Sequence, residues 1–319
     1  MGLQSDKPII GHTKVIEILG RSLKSGRVAH AYLFIGPSRV GKNTVARWLA
    51  EELLSGVTSI RTFAKDNLTV VTPISSHPDV TIVRRETDAK SGKLKSSVSV
   101  EQVRDLRERL SMSSLHGGRK VAIVEEADQL NSAAANALLK TLEEPTPKTH
   151  LILIAAGRGH LPETIYSRCE VIRFGLVGEA AIREALASTT LDAQTVNEIA
   201  QHAAGRPGVA IDYASDLDAL EASKSEVREF ETLINGSIAE RLNAAGKMLP
   251  KGGEARAKLL GKFDLWERML RDRLLQAVQQ GDAATDRIVN AMQTLRTSRE
   301  AAVANTNPQI TLENFLIKL

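Results

Sequence analysis

Through the first 174 residues, unbroken apolar runs of four or five positions alternate with stretches in which apolar residues recur every three or four. Ala31–Ile35 is such a run. It ends in Gly36, and after Lys42 the spacing of Trp48, Leu49 and Leu53 becomes helical, which predicts strand, glycine loop, helix. Val80–Val83, behind His77-Pro78-Asp79, predicts a second strand with a polar loop after it. Val100, Val103, Leu106 and Leu110 predict an amphipathic helix that ends at Gly117-Gly118. Val121–Val124 predicts a strand running into Glu125-Glu126. Asn131 then caps a helix with Ala135, Leu138, Leu139 and Leu142 on one face, stopped by Pro145 and Pro147. Leu151–Ile154 and Val171–Phe174 complete the strands, and the alternation is that of a parallel sheet covered by helices.

From Gly178 the strand signal vanishes. An Ala- and Leu-rich helical pattern runs to Asp216, interrupted at Gly205-Arg206-Pro207-Gly208, and the remainder is helical too. The expected division is 1–174, 175–216 and 217–319. Within the last part, Leu259, Phe263, Trp266, Leu270, Leu274 and Ala277 form an apolar stripe that needs a partner surface, either the core of its own domain or another chain.

A chain of 319 residues exceeds the reach of one core, so two or three domains are expected. Aromatics at 3% favour aliphatic helix packing over a β-sandwich. The one cysteine, Cys169, excludes internal disulfides and a cysteine-built zinc site and fits a reducing, cytoplasmic setting. No stretch approaches the ~20 apolar residues of a membrane span. A net charge of +4 permits a polyanionic partner without demanding one.

Gly36-Pro37-Ser38-Arg39-Val40-Gly41-Lys42 fits the phosphate-loop pattern in the strand-to-helix setting its mechanism requires. Glycines let backbone N–H groups turn toward phosphate oxygens, the helix N-terminus adds positive potential, and Lys42 reaches the terminal phosphates. ATP or ADP is the expected ligand, held by residues 36–44. The position of the usual metal-binding Ser or Thr is Asn43, with Thr44 one place too late. Val121–Val124 with Glu125, Glu126 and Asp128 has the form of the second NTPase motif. There Glu125 stands for the metal-binding Asp and Glu126 for the base that activates water. Asn43 and Glu125 are thus weak candidates for magnesium, leaving open whether an Asn carbonyl serves as a neutral ligand. The plainer reading of the acidic pair is a favourable helix N-terminus. Ser167-Arg168-Cys169 belongs on the surface far from the phosphate loop, where Arg168 forms either a local salt bridge or a guanidinium offered to another subunit's phosphate.

The run Asn136-Ala137-Leu138-Leu139-Lys140-Thr141-Leu142-Glu143-Glu144-Pro145, between the phosphate loop and Ser167-Arg168-Cys169, resembles the bacterial DNA polymerase III clamp loaders, a family of AAA+ proteins. Ala301–Leu319, through Asn307-Pro308, Leu312-Glu313 and Leu316, resembles their closing collar helix, so the likeness spans nearly the whole chain. The resemblance implies an α/β P-loop NTPase (AAA+) domain with a parallel sheet, then a small helical lid, then an all-α collar. Several departures occur together: Asn43, Glu125, Ala155-Ala156-Gly157 in place of a polar sensor, and Gly208 where a second-sensor Arg belongs. They imply a largely non-hydrolytic subunit that supplies Arg168 in trans, rather than a gamma/tau-type motor. Its implied partners are gamma/tau and delta in a hetero-pentameric ring, the sliding clamp and primed DNA. The 56–76 segment lacks the cysteines with which relatives bind zinc, so no zinc is expected. Two other readings remain: a motor that uses Asn43, Glu125 and Glu126 itself, and a scaffold whose loop is a relic. Lys and Arg between Arg84 and Lys120 line a DNA-facing side or a solvated face.

Overall fold

The Ala31–Ile35 run is buried along its whole length because both of its faces are covered. The computed structural model describes residues 9–319 apart from 56–76, 89–91, 93, 115–117, 158–160, 253, 281–284 and 305. Two compact units emerge, Met1–Ser215 and Asp216–Leu319. In the first, β1 (Ala31–Ile35), β2 (Val80–Val83), β3 (Lys120–Val124), β4 (Thr149–Ala155) and β5 (Glu170–Arg173) form one parallel sheet in the order β2-β3-β4-β1-β5. The expected parallel sheet is therefore present. Alternate residues feed two cores. Tyr32, Phe34, Val121, Ile123, Ile152 and Ile154 pack toward α1 (Thr13–Lys24) and α2 (Lys42–Ser55). Leu33, Ala122, Val124, Leu151 and Leu153 pack toward α3 (Val100–Ser111) and α4 (Ser132–Glu143). Each large side chain so buried contributes roughly 1.5–3 kcal/mol.

Local chemistry sets the element ends. Ser99 and Gln102 form a reciprocal cap on α3, and the Asn131 side chain accepts from Ala134 N–H to start α4, as expected. Helix α3 stops at Ser111, six residues before the expected Gly117. The reason is Lys120, whose buried ammonium donates to the Leu110 and Met112 carbonyls and captures the helix end. Lys120 is therefore a structural residue, withdrawn from any DNA-facing surface. The expected 56–76 segment and its missing zinc ligands lie outside the described residues. A one-turn helix α5 (Glu163–Tyr166) leads into β5. After it, α6 (Glu179–Leu186), α7 (Ala193–His202) and α8 (Pro207–Ser215) belong to the same unit, with Gly205 and Arg206 connecting the last two.

The second unit contains α9 (Leu217–Asn235), α10 (Ile238–Met248), α11 (Ala255–Gln280), α12 (Thr285–Val303) and α13 (Pro308–Lys318). Its core answers the question left by the apolar stripe: Leu259, Phe263, Trp266, Leu270 and Ala277 are buried inside this unit, whereas Leu274 is only half-buried. Trp266 lies stacked between Phe230 on α9 at 4.7 Å and Phe315 on α13 at 5.4 Å. The buried Arg241 guanidinium donates to Leu233 (2.8 Å) and Ile234 (2.9 Å) carbonyls at the end of α9 and to that of Leu316 on α13 (3.4 Å). Exposed apolar residues on α11 are Leu275 and Val278, beside the stripe. Among the described residues no helix is long and apolar enough to cross a membrane.

Two predictions follow from the packing. Trp266→Ala should destabilise the second unit by about 3–5 kcal/mol, read by chemical denaturation, and a loss below about 1 kcal/mol would contradict its central place. His150, on β4, donates from Nδ1 to the Ala29 carbonyl at 2.9 Å. Burial holds its imidazole below the ordinary 6.5, opposed by that hydrogen bond and reinforced by Arg119 and His30. Its contribution to stability is therefore complete above pH 6.5. It is lost as pH falls from there toward the depressed folded value, because the unfolded chain takes up a proton that the folded chain refuses. Denaturation at about pH 7.5 and about pH 5.5 should show this loss, and His150→Gln should reduce it.

Candidate functional site

The loop between β1 and α2 is shaped by backbone positions that only small residues or tight partners permit. Gly36 has φ 154°, and a Cβ there would lie 2.2 Å from the Phe174 carbonyl oxygen, so the loop can leave the sheet only as glycine. Gly41 has φ 109° and opens α2. Between them Arg39 holds φ 65°, a left-handed conformation that a non-glycine residue keeps only when its surroundings enforce it. Those surroundings come from α8. Gly208 N–H donates to the Arg39 carbonyl at 2.9 Å, and the Arg39 guanidinium donates to the Gly208 carbonyl at 2.7 Å and to Asp212. A Cβ at Gly208 would meet the Arg39 carbonyl at 3.0 Å. The glycine found where a sensor arginine was expected thus lets α8 close on the loop.

From the other side His12 donates from Nε2 to the Val40 carbonyl at 2.7 Å and sets its ring edge-on to Phe174 at 4.9 Å. Burial lowers its imidazole, opposed by the Val40 bond and assisted by Lys42. Val40 is fully buried, Pro37 is half-buried, and Ser38 and Asn43 face solvent, with Thr44 half-buried. Lys42 is 7% exposed and turns back onto its own loop, donating to the Gly36 and Pro37 carbonyls at 2.6 Å each. Burial brings its ammonium down to about 8 against the opposing charge of Asp128.

At the end of β3 the acidic residues are engaged by arginines. Glu125 accepts from Arg47 at 3.3 Å, and Arg47 stands one turn along α2 from Asn43. Glu126, at φ 53°, takes the Arg85 guanidinium on both oxygens at 2.7 and 2.8 Å. That bond holds Arg85 above its ordinary value despite partial burial. Asp128 accepts from Ala156 N–H at 3.2 Å, in the segment where a polar sensor was expected.

The residues present fit the phosphates of a nucleotide better than magnesium. A cradle that a Cβ would fill, a buried lysine and a 14-residue helix beginning at Lys42 suit an anion. The two metal candidates are an exposed neutral amide, Asn43, and a carboxylate already paired with a guanidinium, Glu125. Magnesium at a nucleotide takes most of its octahedral oxygens from phosphates and water and needs one or two from the protein, and here the one carboxylate in that place is paired with Arg47. Among the described residues no group of three or more His, Cys, Asp or Glu is placed to hold a metal.

Arg168 lies elsewhere. It stands two residues before Glu170, which pairs with Tyr32 near the start of β1, whereas the loop leaves β1 after Ile35. At ~3.3 Å per residue Tyr32 is about 13 Å from Gly36 along the strand, and Arg168 lies in the turn before Glu170. The Arg168 guanidinium pairs with Glu143 at 2.8 Å and donates to the Thr164 carbonyl at 3.0 Å, with its side chain 35% exposed. The local salt bridge considered from sequence therefore exists. Next to it, burial pushes the Cys169 thiol up to about 12, which keeps it unreactive.

Sequence reasoning passed over His12, Arg47, Arg85 and Asp212. A signal existed for one: Arg47 is four residues from Asn43 on one helix face. Arg85 is set opposite Glu126 by the pairing of Val83 with Val124, which only the fold supplies.

A family model described as DNA polymerase III, delta subunit, matches residues 11–177. The chain is 36% identical over 182 residues to DNA polymerase III subunit delta' of Pseudomonas aeruginosa, covering 56% of this chain and 54% of that one. It is 30% identical over 213 residues to subunit delta' of Haemophilus influenzae, covering 66% and 63%. It is also 35% identical over 168 residues to subunit tau of Escherichia coli, covering 52% and 25%. The matched stretch thus spans between half and two thirds of the delta' relatives' lengths.

The Gly36 approach is the most exposed to test: Gly36→Ala should cost at least about 2 kcal/mol in chemical denaturation, because the clash is with backbone that cannot rotate away. A neutral substitution would mean that the loop leaves the sheet differently.

Proposed function

The chain belongs to the family of the DNA polymerase III delta subunit, and from that premise we propose that it is a delta'-type clamp-loader subunit, which works on a neighbour's nucleotide and not by hydrolysing its own. Its expected partners are gamma/tau and delta subunits in a hetero-pentameric ring, the sliding clamp and primed DNA, in the cytoplasm. Its domains act as base (1–174), lid (175–216) and collar (217–319).

One observation carries this reading. The two carboxylates that a motor would give to metal and water, Glu125 and Glu126, are each occupied by a guanidinium of the same chain. Both Glu126 oxygens face Arg85, an arrangement that secures the end of β3 and gives an attacking water no oriented acceptor. Lys42 is directed at its own loop, so a phosphate entering there would exchange two carbonyl contacts for charge-assisted ones. ATP or ADP held by residues 36–44 then acts as a structural ligand that fixes the loop against α8.

Arg168 supplies the function in trans. Its partner Glu143 is 49% exposed, and an exposed pair of this kind is worth only about 0–1 kcal/mol. A neighbour's γ-phosphate, with more charge and better acceptors, outcompetes it, and there a guanidinium stabilises the charge that spreads over the transferred phosphoryl group. The likeness to subunit tau favours one other reading, a hydrolysing motor, which requires Glu126 to leave Arg85.

The test is ATP turnover by the purified chain and by the reconstituted loader. The chain alone should show no hydrolysis above background. Arg168→Ala should lower clamp- and DNA-stimulated turnover of the assembled loader by about 10-fold or more while the chain still assembles. Turnover by the chain alone would establish the motor, and an unaffected Arg168→Ala loader would leave Arg168 to its salt bridge.

A further inference from the structure

The clearest departure in the molecule is also the most specific. At the end of β3, Glu125, in the place of a metal ligand, and Glu126, in the place of a water-activating base, are each paired with a guanidinium of the same chain. We propose that this loop binds nucleoside di- or triphosphate without a divalent cation, Arg47 having taken the metal's carboxylate, Glu125, and Arg85 the neighbouring base, Glu126. The inference rests on the reading that residues 36–44 hold a nucleotide.

The argument is one of charge and coordination. A magnesium ion bound with a nucleotide would take most of its shell from phosphates and water and would need one carboxylate at the end of β3, that of Glu125. Here that carboxylate already has a guanidinium, because Arg47 reaches Glu125 from the helix that also carries Asn43. Arg85 grips the neighbouring Glu126, in the place of the water-activating base, with two short charge-assisted bonds. A cation at Asn43 would find a neutral amide and, to gain Glu125, would have to displace Arg47, four residues on along the same helix. A guanidinium differs from a metal in one respect that matters for chemistry. It neutralises and orients oxygens but does not bring a coordinated water or bind both phosphate and carboxylate in one shell. A site built this way retains its ligand and does not turn it over.

Binding of ADP and of ATP to the full chain, measured by isothermal titration calorimetry in magnesium and in EDTA, tests this directly. Affinity should agree within about twofold between the two buffers. A loss of about tenfold or more in EDTA would overturn the proposal while leaving nucleotide binding intact. The absence of binding in both buffers would overturn it together with the nucleotide reading, and neither result touches the role of Arg168, which the loader assay reads separately. A second measurement uses manganese as the probe. Electron paramagnetic resonance should detect no protein-bound Mn2+ in the native chain with ADP, and Arg47→Gln combined with Arg85→Gln should create a site at least about tenfold tighter. Thermal melting confirms that this variant is folded. Bound Mn2+ in the native chain, or none in the folded variant, would refute the substitution of arginine for metal.

Discussion

The first unit is organised around one close approach, the Gly36 backbone against the carbonyl of Phe174. At that point no side chain fits, so the chain leaving β1 must pass directly over the chain leaving β5. Much follows from it. Phe174 N–H donates to the Ile35 carbonyl, and its ring meets Phe34 on the sheet and His12 ahead of α1. His12 in turn ties down Val40, in the middle of the phosphate loop. The segment beyond Phe174 is fixed equally tightly. Gly205, between α7 and α8, has φ 73° and no room for a Cβ against Leu176. The residues ahead of α1, the loop, the last strand and helices α7 and α8 are therefore coupled through close contacts that leave little space for independent movement.

That coupling explains how α8 can act on the loop from 169 residues away in sequence. Arg39 keeps a left-handed backbone because α8 supplies a donor to its carbonyl and two acceptors to its guanidinium. The contact is half-exposed, so it contributes little net stability. Its value lies in geometry, since it ties the conformation of the phosphate loop to the position of one helix. A ligand that reshapes the loop must also bear on α8.

The same logic separates the two ends of the sheet. At the carboxyl ends of the strands, charge is balanced internally, carboxylate by carboxylate, with arginines of the same chain. At the opposite end, Arg168 is held by a half-exposed glutamate that gives it up at small cost. In the second unit the aromatic stack of Phe230, Trp266 and Phe315 consumes the apolar stripe of α11, so any contact of this unit with other chains must use what remains outside it.

Although α1 and the one-turn α5 were not, the five strands, the helices α2, α3 and α4 between them and the glycine loop were legible in the sequence. Each depends on short-range pattern: an apolar run, a glycine spacing, the residue that follows a lysine. The sequence also determined that a neutral amide, Asn43, stands where a hydroxyl is usual and that Glu125 is one methylene longer than the usual Asp, because these are properties of the side chains themselves. What occupies Glu125 and Glu126 was decided by the fold. Arg85 reaches Glu126 only because β2 pairs with β3 in the register that sets Val83 against Val124, and register between parallel strands is not written in either strand alone. The Arg39–Asp212 contact, the capture of the α3 end by Lys120 and the burial of the α11 stripe belong to the same class. Each joins residues whose separation in the chain carries no periodic signal, so only packing could bring them together.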